Sequence, residues 1–190
     1  MTEAAVDEAL CARPSLSDEQ REMVRQLTTS PDAVMVVRGH AGTGKTSALD
    51  ACRQIWERSG RTVIGCALSG RAAAELQAGA AIRSTTIERL LLDLVDDREQ
   101  LLPGGDAVLV VDEAGMVGTR LLGRLLAAAA SADATVVLVG DDRQLPEIDA
   151  GGAYHGLCQR LGAVELTENR RQREELERQA LVLLREGRSH

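Results

Sequence analysis

The sequence predicts an α/β fold built on a parallel sheet that is buried on both faces, and two observations predict it. Five short, continuous apolar runs rich in β-branched residues alternate with longer segments of helical period, the pattern of strands covered on both sides rather than of a half-exposed sheet. The first of those runs feeds directly into a glycine-rich turn and then a helical segment. The chain has 190 residues and is 44% hydrophobic, which suits one domain around one sizeable core.

Taken in order, residues 1–15 are rich in Ala and Glu, include Arg13-Pro14 and lack a clear period, so they are expected as a flexible lead-in. The domain is expected to run from 16 to 190. Strands are expected at 33–37, 62–66, 107–111, 135–139 and 163–166, where Val, Ile, Thr and Leu predominate. Helices are expected near 45–58, 70–79, 85–95, 119–131, 152–161 and 172–186. Pro103-Gly104-Gly105 is the turn before the third strand, and Ala127–Ala130 closes a leucine-bearing helix that packs in the core. Trp56 and Tyr154 are read as packing residues.

Bulk properties exclude several function classes. A net charge of −7 argues against a protein that holds nucleic acid on a broad basic surface, so any DNA contact must be local. The four cysteines, Cys11, Cys52, Cys66 and Cys158, form no C-x-x-C pair and no disulfide framework, which points to a reducing cytoplasm. No apolar stretch is long enough for a membrane span or a signal peptide. A monomer is expected.

Gly39-His40-Ala41-Gly42-Thr43-Gly44-Lys45-Thr46 matches G-x-x-x-x-G-K-[ST] between a strand and a helix, the context that gives this motif its meaning. Backbone N–H groups of Gly39, Ala41, Gly42, Thr43 and Gly44 can converge on phosphate oxygens at a helix N-terminus. Lys45, the only lysine in the chain, reaches the β- and γ-phosphates, and the Thr46 hydroxyl can ligate Mg²⁺. ATP with Mg²⁺ is therefore the expected ligand. His40 is a variable position of the loop and is given no role.

The strand 107–111 ends in Asp112-Glu113. Asp112 is expected to hold Mg²⁺ through water, and Glu113 to orient or deprotonate the attacking water. A glutamate beside the metal aspartate favours water as the nucleophile, so hydrolysis is preferred over transfer to a small-molecule acceptor.

A further strand feeds Gly140-Asp141-Asp142-Arg143-Gln144-Leu145-Pro146, and here the chain resembles superfamily 1 DNA helicases of the RecD-like and conjugative relaxase-helicase branch. Leu16-Ser17-Asp18-Glu19-Gln20 is similar to the family's Q motif and Ala67-Leu68-Ser69-Gly70-Arg71-Ala72-Ala73 to motif Ia. Asp112-Glu113-Ala114-Gly115-Met116-Val117 is similar to motif II, and Leu166-Thr167-Glu168-Asn169-Arg170-Arg171-Gln172 to the segment bearing the motif IV arginine. The resemblance runs from about residue 16 to about 186. It implies a P-loop, RecA-like sheet in which the five strands lie in the order 2-3-4-1-5. It further implies that Gln144 senses the γ-phosphate, that Arg171 stabilises transition-state charge, and that Gln20 reads the adenine edge. Ser69, Arg71, Thr85 and Thr86 match the places where the family touches single-stranded DNA.

Plainer roles stand beside several of these. Ser17-x-x-Gln20 and Thr85-x-x-Glu88 also fit capping boxes, Ser69 also fits a helix cap, and Arg171 lies in a charge run of the kind that is usually solvated. Glu88 departs from the family, where His is common, and an acid beside a DNA path repels phosphate. Aromatic residues that could stack bases are nearly absent. The family also uses a second RecA-like domain that closes over ATP. The expectation is thus a first motor domain that binds nucleotide, hydrolyses ATP weakly alone, binds single-stranded DNA weakly and needs a second domain in cis or in trans for 5′-to-3′ movement. The rival reading is a stand-alone ATP-dependent switch that signals to a protein partner.

Overall fold

A computed structural model describes residues 2–40, 42–95, 104–141 and 152–167. The expectations for Ala41, Gln144 and Arg171, and for a helix at 172–186, lie outside the described residues.

The described elements are α1 (Glu3–Cys11), α2 (Asp18–Thr29), β1 (Val34–Gly39), α3 (Lys45–Arg58), β2 (Thr62–Ala67), α4 (Gly70–Ala80), β3 (Ser84–Thr86), α5 (Ile87–Val95), β4 (Ala107–Val111), α6 (Thr119–Ser131), β5 (Thr135–Gly140), α7 (Ala153–Leu161) and β6 (Val164–Leu166). The six strands form one parallel sheet in the order β3-β2-β4-β5-β1-β6. Its five expected strands keep the order implied by the family resemblance. The sixth, β3, lies at the open edge, where the sequence reads as the start of a helix. Thr85 and Thr86 suit a strand, and Thr86 ends it by accepting the Arg89 N–H at 3.2 Å, which caps α5.

Successive strand residues face opposite sides, so the apolar runs feed two cores. Val108, Val110, Val137 and Val139 pack under α1–α4, whereas Leu109, Val111, Val136 and Leu138 pack under α5–α7. Trp56, on α3, is buried in the first of these cores.

The lead-in departs from expectation, because residues 3–11 are a docked helix. Val6 and Leu10, one turn apart, are 0% and 1% exposed against α2 and α3. The exit from this helix is held by Arg21, whose guanidinium donates to the carbonyls of Leu10, Arg13 and Leu16 at 3.2, 3.0 and 3.2 Å. Arg13 in turn pairs with Asp50 of α3 at 2.7 Å. Two buried apolar residues in nine make too short a period to read from sequence, and the partners that anchor them are distant.

Candidate nucleotide site

The site lies at the carboxyl ends of β1, β4 and β5, where parallel sheets place ligands. The turn from β1 into α3 is possible because Gly42 and Gly44 take φ of 86° and 76°, left-handed values that a side chain resists. Thr43 is 2% exposed, and its hydroxyl donates to the His40 carbonyl at 2.9 Å, tightening the loop.

Lys45 opens α3, and its ammonium donates to the Gly39 and His40 carbonyls at 2.6 and 3.0 Å. Burial pushes its pKa below the ordinary lysine value, opposed by the charges of Asp112, Asp141 and Glu113. Among the described residues this partly buried cation is held by neutral carbonyls, which it can exchange for the oxygens of an anion. The donor set therefore fits a phosphate.

Asp112 follows β4 directly, its N–H continuing the ladder to the Cys66 carbonyl at 2.9 Å. Its carboxylate accepts the Glu113 N–H at 2.9 Å. Burial raises the pKa of Asp112, partly offset by that hydrogen bond and by Lys45. Glu113 adopts φ 52° and ψ 34°, a left-handed conformation that is uncommon for a glutamate, and begins a short 3-10 turn over Ala114–Met116. Burial, Asp112 and Glu75 raise its pKa, while Lys45 and Arg71 lower it. Behind this turn Tyr154 of α7 donates from its hydroxyl to the Val37 carbonyl at 2.6 Å, tying α7 to the strand that leads into the phosphate loop.

Gln20 is placed differently from the adenine-reading expectation. Its side chain is 0% exposed; the amide N–H₂ donates to the carbonyls of Thr43 and Gly44 at 3.0 and 3.2 Å, and its oxygen accepts the Ser17 N–H at 3.0 Å. The capping box forms, and the same residue anchors the phosphate loop. Its neighbour Glu19 accepts from both the backbone N–H and the hydroxyl of Thr167, just beyond β6. Sequence reading also passed over His40, whose Nδ1 lies 3.1 Å from an Asp141 carboxylate oxygen across the β1 and β5 ends. No local signal marks the Glu19 and His40 contacts, because the partners lie more than a hundred residues away.

The residues expected to meet DNA gather at the carboxyl ends of β2 and β3. Ser69 caps α4, accepting the Ala72 N–H at 3.1 Å. Thr85 and Thr86 line an open groove together with Gly70, Ala73 and Ala78 of α4. Arg71 is largely exposed and pairs with Glu75 one turn along the same helix, at 2.8 Å. Among the described residues no helix is long and apolar enough to cross a membrane, and all four cysteines are free.

Comparison with known proteins gives a consistent picture. The family described as an AAA domain matches residues 15–190. The chain is 37% identical over 189 residues to a conjugal transfer protein TraA of Rhizobium radiobacter, covering 96% of this chain and 16% of that protein. It is 36% identical over 163 residues to the ATP-dependent RecD2 DNA helicase of Deinococcus radiodurans, covering 85% of this chain and 22% of that protein. The chain thus spans less than a quarter of the length of these relatives. Among solved structures, Bacteroides sp Pif1 in complex with ADP-AlF4 superposes with a TM-score of 0.56 at 20% identity, over 92% of this chain and 47% of that one. That likeness concerns the fold.

Proposed function

Since the chain belongs to the AAA-domain family, in the RecD-like branch of superfamily 1 helicases, we propose that it binds and hydrolyses Mg-ATP as the first of two RecA-like motor domains. In a longer protein, that hydrolysis drives 5′-to-3′ movement on single-stranded DNA in the cytoplasm. The observation that carries the reading is Lys45, a partly buried ammonium held by the Gly39 and His40 carbonyls with Asp112 and Glu113 exerting their charge on it. The family and the relatives named above support the coupling to DNA.

The residues divide the work as follows. Lys45 exchanges its two carbonyl acceptors for β- and γ-phosphate oxygens, and the N–H groups of the loop from Gly39 to Gly44 cradle the same phosphates. Thr46, and Asp112 through water, would hold Mg²⁺, which when bound would draw charge from the phosphates. Glu113 orients a water and takes its proton as the water oxygen bonds to the γ-phosphorus and the bond to the β-γ bridging oxygen breaks. A raised Glu113 pKa suits a group that must accept that proton. By resemblance, Gln144 senses the γ-phosphate and Arg171 stabilises the charge that develops there. Ser69, Arg71, Thr85 and Thr86 border the DNA path, and a second RecA-like domain, in cis or in trans, completes the motor.

The test is ATP hydrolysis by the chain with Mg²⁺, with and without single-stranded DNA, using Glu113→Gln as the blank. Slow turnover in the wild type is expected to fall on the order of a hundredfold in the variant, with ATP still bound and no strand separation by either. Turnover that survives Glu113→Gln unchanged would remove Glu113 from the reaction. Failure to bind ATP would overturn the reading as a whole.

A further inference from the structure

α4 carries two glycines, α6 one and α7 one. At Gly70, Gly123 and Gly156 an added Cβ would meet nothing within 4 Å. Gly79 is different: a Cβ there would lie 2.3 Å from Thr46 Cγ2, 3.4 Å from Thr46 Cβ and 3.8 Å from Thr46 Oγ1. Its backbone is helical rather than left-handed, so no turn requires glycine. Alanine would favour the helix, since glycine is the poorest helix former after proline. What the missing side chain provides is room, and the group that fills the room is the Thr46 methyl.

We infer that Gly79 is a positioning residue for the Thr46 hydroxyl: the bare backbone of α4 receives the Thr46 methyl and thereby turns the hydroxyl away from α4, fixing the rotamer with which Thr46 meets Mg-ATP. The inference rests on the reading of the phosphate loop given above. Methyl and hydroxyl share one carbon, so the methyl can leave its seat only by rotation about χ1, and that rotation carries the hydroxyl with it.

The alternative escape, withdrawal of α4 from α3, is closed on two sides. Arg53 of α3 donates to the Ala80 carbonyl at the end of α4, at 3.0 Å. Leu76 of α4 is 1% exposed and packs so closely on β2 that a Cβ at Gly65 would come within 2.8 Å of its Cδ2. A methyl introduced at position 79 therefore acts on Thr46 rather than on the position of the helix. This makes α4 shared ground, since one flank lines the groove with Thr85 and Thr86 while Gly79 seats the first turn of α3.

The test is the affinity of the whole chain for a fluorescent ATP analogue, measured with Mg²⁺ and again with EDTA, for four proteins: wild type, Gly79→Ala, Thr46→Ser and the double variant. Thr46→Ser removes the methyl and keeps the hydroxyl, and it serves as the background in which the added methyl at position 79 has nothing to strike. In the wild-type background Gly79→Ala is expected to weaken binding with Mg²⁺ about tenfold, the size of a displaced rotamer and a lost ligand contact. Binding in EDTA should change little, and in the Thr46→Ser background the Mg²⁺-dependent loss should shrink below about twofold. Equal losses in both backgrounds, or equal losses with and without Mg²⁺, would overturn the inference and leave Gly79 as a packing position. A wild type that gains no affinity from Mg²⁺ would instead overturn the nucleotide reading, and this inference with it.

Discussion

The two ends of the carboxyl edge of the sheet are built on opposite plans. At the phosphate-loop end, beside the local bonds of Thr43 and Lys45, four polar side chains meet groups far away in the sequence: Gln20 meets Thr43 and Gly44, His40 meets Asp141, Tyr154 meets Val37, and Thr167 meets Glu19. At the groove beside β3, the residues expected to meet DNA are held within four residues, Ser69 by Ala72, Thr86 by Arg89 and Arg71 by Glu75, and Gln77 reaches only to Ser84. A long-range contact fixes a side chain in the frame of the whole domain, whereas a local one fixes only the start of a helix. The first end is therefore prepared for a ligand of defined shape, and the second is a surface whose groups must be released or borrowed. The weak grip on single-stranded DNA proposed above would follow from that arrangement.

The largest effect that would sharpen this contrast is at Lys45. Its ammonium contributes the only side-chain cation from the loop, and two backbone carbonyls hold it until an anion arrives. Lys45→Ala is expected to weaken ATP binding on the order of a hundredfold or more, since it removes a charge-assisted contact to phosphate in a partly buried site. The fold should persist, because removing a partly buried cation also removes its desolvation cost. Titration of ATP alongside circular dichroism separates the two outcomes. Unchanged affinity would mean that the loop is not a phosphate site, and the contrast between the two ends would disappear.

Gln20 comes next, and it probes whether the long-range contacts matter as a set. Gln20→Ala leaves the buried carbonyl of Thr43 and the partly buried Gly44 carbonyl and Ser17 N–H without their partner, a loss of about 2 kcal/mol. The expected result is a clear fall in melting temperature together with weaker binding of ATP and GTP alike, because the loop itself loosens. An adenine-reading Gln20 would produce the other pattern, in which stability holds and only the preference for ATP over GTP collapses.

How much of this could be read in the sequence follows the same division. The five expected strands and the helices from α3 onward were legible because their period is local and their apolar runs are short and nearly continuous. The turn at Gly39 to Thr46 and the strand end at Asp112-Glu113 were legible as neighbours in one candidate site, because the chemistry proposed for them ties residue types to fixed spacings. The docking of α1 was not legible, since it rests on Val6 and Leu10 meeting α2 and α3 and on Arg21 reaching back to three carbonyls. Strand β3 was missed because three residues ahead of a strong helical period carry too little pattern of their own. Gln20 shows the limit most directly. The sequence supports both a base reader and a cap, and only the approach of the phosphate loop decides what its amide touches. Gly79 is silent in the sequence for the same reason: a glycine among alanines signals nothing until Thr46 is seen against it.

The smallest expected effect is at Ser69, and it can break the comparison from the groove side. Ser69→Ala removes the N-cap of α4 and should cost about 1 kcal/mol, whereas Ser69→Gly should cost only a few tenths, because glycine opens a helix nearly as well without a side chain. The two variants therefore share the loss of the hydroxyl and differ in the loss of the cap. If the hydroxyl serves only its helix, melting temperature falls in the alanine variant alone, and the affinity for single-stranded DNA stays level in both. If the hydroxyl also meets the DNA backbone, both variants lose the same DNA affinity whatever their stability. Arg71→Ala provides the scale for such a loss: release of one phosphate contact lowers the salt slope of binding by about one and leaves stability unmoved, as its partner Glu75 is itself exposed. A shared loss at Ser69 without a change in that slope would identify a neutral hydrogen bond to the strand, and the groove would then hold DNA by groups that its helices already use.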